Sequence, residues 1–151
     1  MDNENNREFF RLAFPHPLVS NVTIIQIKGN AIDSGSTKVL IEDVSFGGLR
    51  FISPMKLPVN PHVILEFETI ILKQEVQLPG YVVWKKEGQN GLHEYGVRFT
   101  IDDSEFPGII QLFNRLEIRM RRNPLVSDCW FTTESKEQFF NDEPSSVESG
   151  K

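Results

Sequence analysis

An acid, a hydroxyl and two glycines lie close together in Glu42-Asp43-Val44-Ser45-Phe46-Gly47-Gly48-Leu49-Arg50-Phe51. Asp43 and Ser45 are two apart, so an extended chain points both side chains to one face. Gly47 and Gly48 let the backbone turn at positive φ, or let a ligand come close. That set makes a small polar cradle. The same residues also fit an Asx-turn, in which Asp43 and Ser45 bond only to their own backbone and the glycines close a hairpin. From this stretch alone both remain open. A second cluster, Arg7-Glu8-Phe9-Phe10-Arg11, sets two guanidinium forks either side of three residues near the start of the chain. Two such forks suit a small anion.

Several elements must hold these residues in place. Ser36-Thr37-Lys38-Val39-Leu40-Ile41 has the β-branched composition of a strand, and alternation resumes after the glycines, so the cradle sits in a hairpin over 36–44 and 48–53. Pro15 and Pro17 favour an extended path, and the first strand is expected over 19–28, followed by a loop over 29–35. Residues 63–68 alternate cleanly, with Val63, Leu65 and Phe67 on one side and Glu66 and Glu68 on the other. A long strand within 73–87 has Val76, Leu78, Val82 and Trp84 as its apolar members, and Gly80 signals a bend or bulge. Asn90-Gly91 is a hairpin signal leading into a strand over 92–100. Strands in near-continuous series with short turns favour an antiparallel barrel, whose closure removes exposed edges.

The period then changes. Phe106, Ile109, Phe113, Leu116 and Met120 recur at helical spacing, which predicts an amphipathic helix over about 104–122. Pro107 falls in its first turn, Arg115, Arg119, Arg121 and Arg122 crowd the end that favours cations, and Asn123-Pro124 stops it. Residues 1–6 are polar and expected to be flexible, with no room for a preceding domain. Residues 123–151 form a tail, disordered beyond about 140; before that, disorder and a short helix through Phe139 both remain open.

At 151 residues and 39% hydrophobic content the chain can bury one good core. A net charge of −5 excludes the broad basic field of a DNA or RNA binder. The single cysteine, Cys129, excludes an internal disulfide and fits a reducing cytoplasm. Met1 to Asn6 have neither a basic nor an apolar region, so no secretory signal is expected, and stretches such as 22–27 are too short for membrane insertion. No catalytic pattern stands out. His16, His62 and His93 have no partners at metal-ligand spacing and are expected at the surface; Ser45 lies in no nucleophile elbow, and Gly47-Gly48 lacks the Lys-Ser/Thr of a phosphate loop. The expectation is a sensor with no catalysis and no metal or cofactor.

Taken together, the two clusters resemble the PilZ domain family. That family pairs an R-x-x-x-R segment near its start with a [D/N]-x-S-x-x-G segment a few tens of residues later. Here Arg7 and Arg11 fill the first, and Asp43, Ser45 and Gly48 fill the second. Downstream, Glu94-Tyr95-Gly96-Val97-Arg98-Phe99 is similar to the family's Gly-Val-x-Phe strand. The resemblance covers about residues 7–122 and implies a six-stranded antiparallel β-barrel with a C-terminal α-helix. It also implies a receptor for the bacterial second messenger cyclic di-GMP, with an unidentified downstream protein partner. The alternative is an interaction module on the same barrel that binds no nucleotide.

The residue types suit that ligand. A guanidinium fork matches a phosphate or the N7 and O6 pair of guanine, and a carboxylate such as Asp43 can accept from guanine N1–H and N2–H together. Adenine lacks that donor pair. Ser45 adds an adaptable hydroxyl, and Gly47 and Gly48 keep the rim low. Trp84 is either a stacking platform or a core residue. Arg50 and Arg98, in strands, are expected to be solvated. Ordering the five-residue arginine segment costs roughly 5–10 kcal/mol. Four or five charged hydrogen bonds at about 1.5–3 kcal/mol each offset that cost.

Overall fold

The computed structural model describes residues 11–141; Arg7, Phe9 and Phe10, the leader 1–6 and residues 142–151 lie outside the described residues. The strands are β1 (Arg11–Ile27), β2 (Asn30–Ala31), β3 (Ser36–Ser45), β4 (Gly48–Ser53), β5 (Val63–Ile71), β6 (Gln74–Glu87) and β7 (His93–Phe99). Two helices follow, α1 (Phe106–Met120) and α2 (Lys136–Asn141). Hydrogen bonding runs β2-β1-β3-β4-β7-β6-β5, and β5 pairs again with β1. All these pairings are antiparallel, so six strands close into the expected barrel and the two-residue β2 hangs from β1.

Strand β1 begins eight residues before the expected position, at Arg11. Its early part pairs Arg11 with Ser45 and Ala13 with Asp43, and its later part, from Asn21, pairs with β5. The register against β3 shifts between Ala13 and Leu18. Pro15 and Pro17 fall in that interruption, where a residue with no N–H costs no ladder bond.

The barrel interior is one apolar cluster, in which the Phe51 ring stacks on Tyr95 and meets Phe67 edge-on, both at 5.0 Å. Helix α1 starts with Pro107 in its first turn and adds Leu112, Phe113 and Leu116 to the cluster. The Asn90-Gly91 turn forms as expected between β6 and β7, with φ of 60° and 76°. Gly80 makes no bulge: its pairing with Leu65 and Phe99 is continuous. A Cβ there would lie 2.3 Å from the Arg98 carbonyl oxygen, so glycine is required by close strand approach. His93 is not at the surface; it is buried beside Tyr95.

Beyond α1 the chain returns along the barrel. Lys73 N–H donates to Asp128 O (2.8 Å), Trp130 N–H to Ile70 O (3.0 Å) and Val19 N–H to Trp130 O (2.8 Å). Helix α2 then lays Phe139 over Val19 and Leu40 on the outside of the barrel. Of the two alternatives for residues 125–141, the packed short helix is the one observed.

Candidate functional site

The cradle lies on the outer wall, and a pairing irregularity puts it there. Along β3, Ile41 faces the interior and the register against β4 shifts between Ile41 and Asp43. Glu42 is the extra residue. A one-residue bulge reverses the facing of everything after it, so Asp43 and Ser45 turn outward while Val44 returns to the core. The same device recurs on β6, where the register shifts between Val82 and Trp84. Val76, Leu78 and Val82 point inward, Val83 is the extra residue, and Trp84 emerges 42% exposed. The core alternative for Trp84 is thereby removed.

Cross-strand registers align these outward residues. Ala13 faces Asp43, Asp43 faces Arg50, Arg50 faces Gly96, and Gly96 faces Trp84. In the neighbouring row Arg11 faces Ser45, while Gly48 faces Arg98. A Cβ on Gly96 would lie 2.1–2.7 Å from three atoms of the Trp84 indole, so the ring lies across the bare glycine and keeps its other side outward. Arg11, Asp43, Ser45, Arg50, Trp84 and Arg98 all line one open cavity of about 770 Å³.

Asp43 is only 6% exposed despite facing outward. Arg50 covers it: Nε donates to Oδ2 at 3.0 Å, and the second fork nitrogen, Nη2, lies 2.9 Å from the same oxygen. Arg11 stands further off, its Nη1 at 3.7 Å and its side chain 62% exposed. Arg50 also donates to Glu42 Oε1 at 2.8 Å and to Glu94 Oε2. Its guanidinium is held above its ordinary pKa: burial works against the charge, but its hydrogen bonds to Glu94 and Asp43 and the nearby Glu42 outweigh it. The expectation of a solvated Arg50 is therefore wrong. The other oxygen of Glu42 takes Lys136 Nζ of α2 at 3.2 Å.

Asp43 and Ser45 divide between the two local possibilities. The Asp43 carboxylate meets arginine side chains, as a cradle requires, whereas the Ser45 hydroxyl donates to the Gly48 carbonyl at 3.4 Å, a local turn bond. Neither Gly47 nor Gly48 is among the residues at positive φ. A Cβ on Gly48 would lie 1.7 Å from the Val97 carbonyl oxygen, so this glycine lets β4 lie against β7. Gly47 borders open space.

Arg50 was legible and missed. With Phe46 and Gly47 as the two-residue turn, counting back along both strands sets Asp43 directly opposite Arg50. Arg98 carried no such signal, because its place beside Gly48 depends on β4 pairing with β7.

A family model described as the PilZ domain matches residues 5–115. Among solved structures the chain is similar to the PilZ domain of YcgR from Escherichia coli with c-di-GMP, at 15% identity over 75% of this chain and 92% of that one, TM-score 0.53. It is also similar to the Bacillus subtilis inhibitor of motility MotI/DgrA, at 13% identity over 75% of this chain and 52% of that one, TM-score 0.52. MrkH of K. pneumonia in its apo state gives 14% identity over the same shares, TM-score 0.52. The chain thus spans about half the length of the MotI/DgrA and MrkH chains. At such identities the likeness is one of fold. No curated protein matches the chain.

Proposed function

The chain belongs to the PilZ domain family, and from that premise we propose that it is a cytoplasmic receptor for cyclic di-GMP that passes a change of shape to a protein partner. One observation carries the proposal. Residues from separate stretches of the chain, Arg11, then Asp43 and Ser45, then Trp84, line a single outward cavity. The similar PilZ domain of YcgR was solved with the same ligand, and no described helix is long and apolar enough to cross a membrane.

In this proposal Arg7 and Arg11 take phosphate or the Hoogsteen edge of a guanine, and Asp43 accepts from guanine N1–H and N2–H. Ser45 adds a hydrogen bond, and Trp84 offers the open side of its indole for stacking. Gly47 leaves the rim low, and Gly48 contributes by setting the wall beneath it. A ligand can shift an equilibrium only by binding one state better. With Arg11 already paired in β1 opposite Ser45, a ligand bridging Arg7 to Asp43 and Ser45 would favour closure of the residues before Arg11 over the cavity, with Phe9 and Phe10 as the signal.

Isothermal titration with cyclic di-GMP, beside cyclic di-AMP and GTP, tests the proposal. Binding of cyclic di-GMP far above the other two is expected, and Arg11→Ala should weaken it at least tenfold, since a charged hydrogen bond is worth about 1.5–3 kcal/mol. No binding by the wild type would favour an interaction module instead. Residues 11–14 are already in β1, so the test of closure is hydrogen exchange over residues 5–10, which should slow with saturating ligand; unchanged exchange there would dismiss the closing segment even where binding is real.

A further inference from the structure

We propose that Arg50 is a positioning residue that sets the preference of the site for guanine, with Glu94 as its brace. The inference rests on the cyclic di-GMP reading and deepens it. A carboxylate selects guanine only if it presents an acceptor edge to N1–H and N2–H, so its orientation decides the selectivity. Asp43 is buried, and its described contacts fall on Oδ2 alone: Arg50 Nε at 3.0 Å and Nη2 at 2.9 Å, with Arg11 Nη1 at 3.7 Å. Two nitrogens of one rigid fork on one oxygen fix the carboxylate plane and leave Oδ1, with its two lone pairs, to accept from both N1–H and N2–H of a base.

The fork is itself held. Its third nitrogen, Nη1, donates to Glu42 and Glu94, and Glu42 is tied in turn to Lys136. Glu94 and Glu42 lie on opposite neighbours of β4, so Arg50 is braced from β7 and from β3 at once. Three carboxylates share this one guanidinium. A lysine would keep the charge but has a single nitrogen, which cannot span Asp43 Oδ2 and both glutamates together. Arg11, long-range and mostly exposed, is free to turn to the ligand without releasing Asp43.

The test compares wild type, Arg50→Lys and Glu94→Gln in titrations with cyclic di-GMP and with cyclic GMP-AMP, which differs in one base. Arg50→Lys is expected to lower cyclic di-GMP affinity at least tenfold and to reduce the cyclic di-GMP to cyclic GMP-AMP affinity ratio severalfold. Glu94→Gln should move the ratio the same way by less. A merely structural Arg50 would weaken both ligands equally, and an unchanged ratio in both variants overturns the inference. If Arg50→Lys does not fold, the ratio in Glu94→Gln decides alone. If wild type binds neither ligand, the receptor reading falls and this inference with it; if wild type binds cyclic di-GMP and the ratio holds in the variants, only the inference falls.

Discussion

The barrel wears two different outer walls, and strand β3 belongs to both. In its first half Leu40 points outward with Val19 of β1 beside it, and both are buried beneath Phe139 of α2. In its second half Asp43 and Ser45 point outward beside Arg50, and there no element among the described residues covers the wall, with Trp84 and Arg11 exposed. Glu42, the bulged residue, marks the border, and its ion pair with Lys136 joins the two regions. Apolar outward residues needed a lid and obtained one from the C-terminal segment. Charged residues and bare glycines needed none, and a wall that stays open can take a ligand.

Gly48 lies on the open wall but serves the strand packing. Gly48→Ala would drive a methyl group to 1.7 Å from backbone, and overpacking of that kind costs about 3 kcal/mol or more. A thermal melt should show the loss without any ligand present. A wild-type melt would mean that Gly48 is there for the ligand after all.

Phe139→Ala probes the covered wall. Removing a ring that is 8% exposed should cost about 3 kcal/mol of stability, the low end for a buried phenylalanine, measured by urea unfolding, with cyclic di-GMP affinity unchanged in the protein that remains folded. Loss of affinity together with stability would show that the lid is part of the site. The smallest effect on stability is expected on the open wall: Trp84→Ala should leave the unfolding midpoint near wild type and weaken binding by about 1–3 kcal/mol, the worth of a base–aromatic stack. A stability loss matching that of Phe139→Ala would erase the distinction between the walls.

Much of the frame was legible. The β3 and β4 limits, the hairpin at Asn90-Gly91 and helix α1 with its proline start follow from alternation, turn chemistry and helical spacing, all local properties of the chain. Other elements have no local signal. The β5–β6 turn runs through Leu72 and Lys73 at positive φ, with neither glycine nor asparagine to announce it. The N–H groups of that turn are held from the C-terminal segment, Leu72 by the Cys129 sulfur at 3.3 Å and Lys73 by the Asp128 carbonyl at 2.8 Å. Such a turn is stabilised by contacts made far along the sequence.

For the candidate site, the two-residue period by itself determined that Asp43 and Ser45 share a face, while the observed two-residue turn at Phe46-Gly47 sets Arg50 opposite Asp43. Only the tertiary structure decided that this face is the outer one. Alternation fixes which side chains agree with each other but not which way they point, and a bulge belongs to the pairing of two strands, not to the composition of either. The irregularities at Glu42 and Val83 turn Asp43, Ser45 and Trp84 out of the core, and closure of the barrel brings them around one cavity with Arg11.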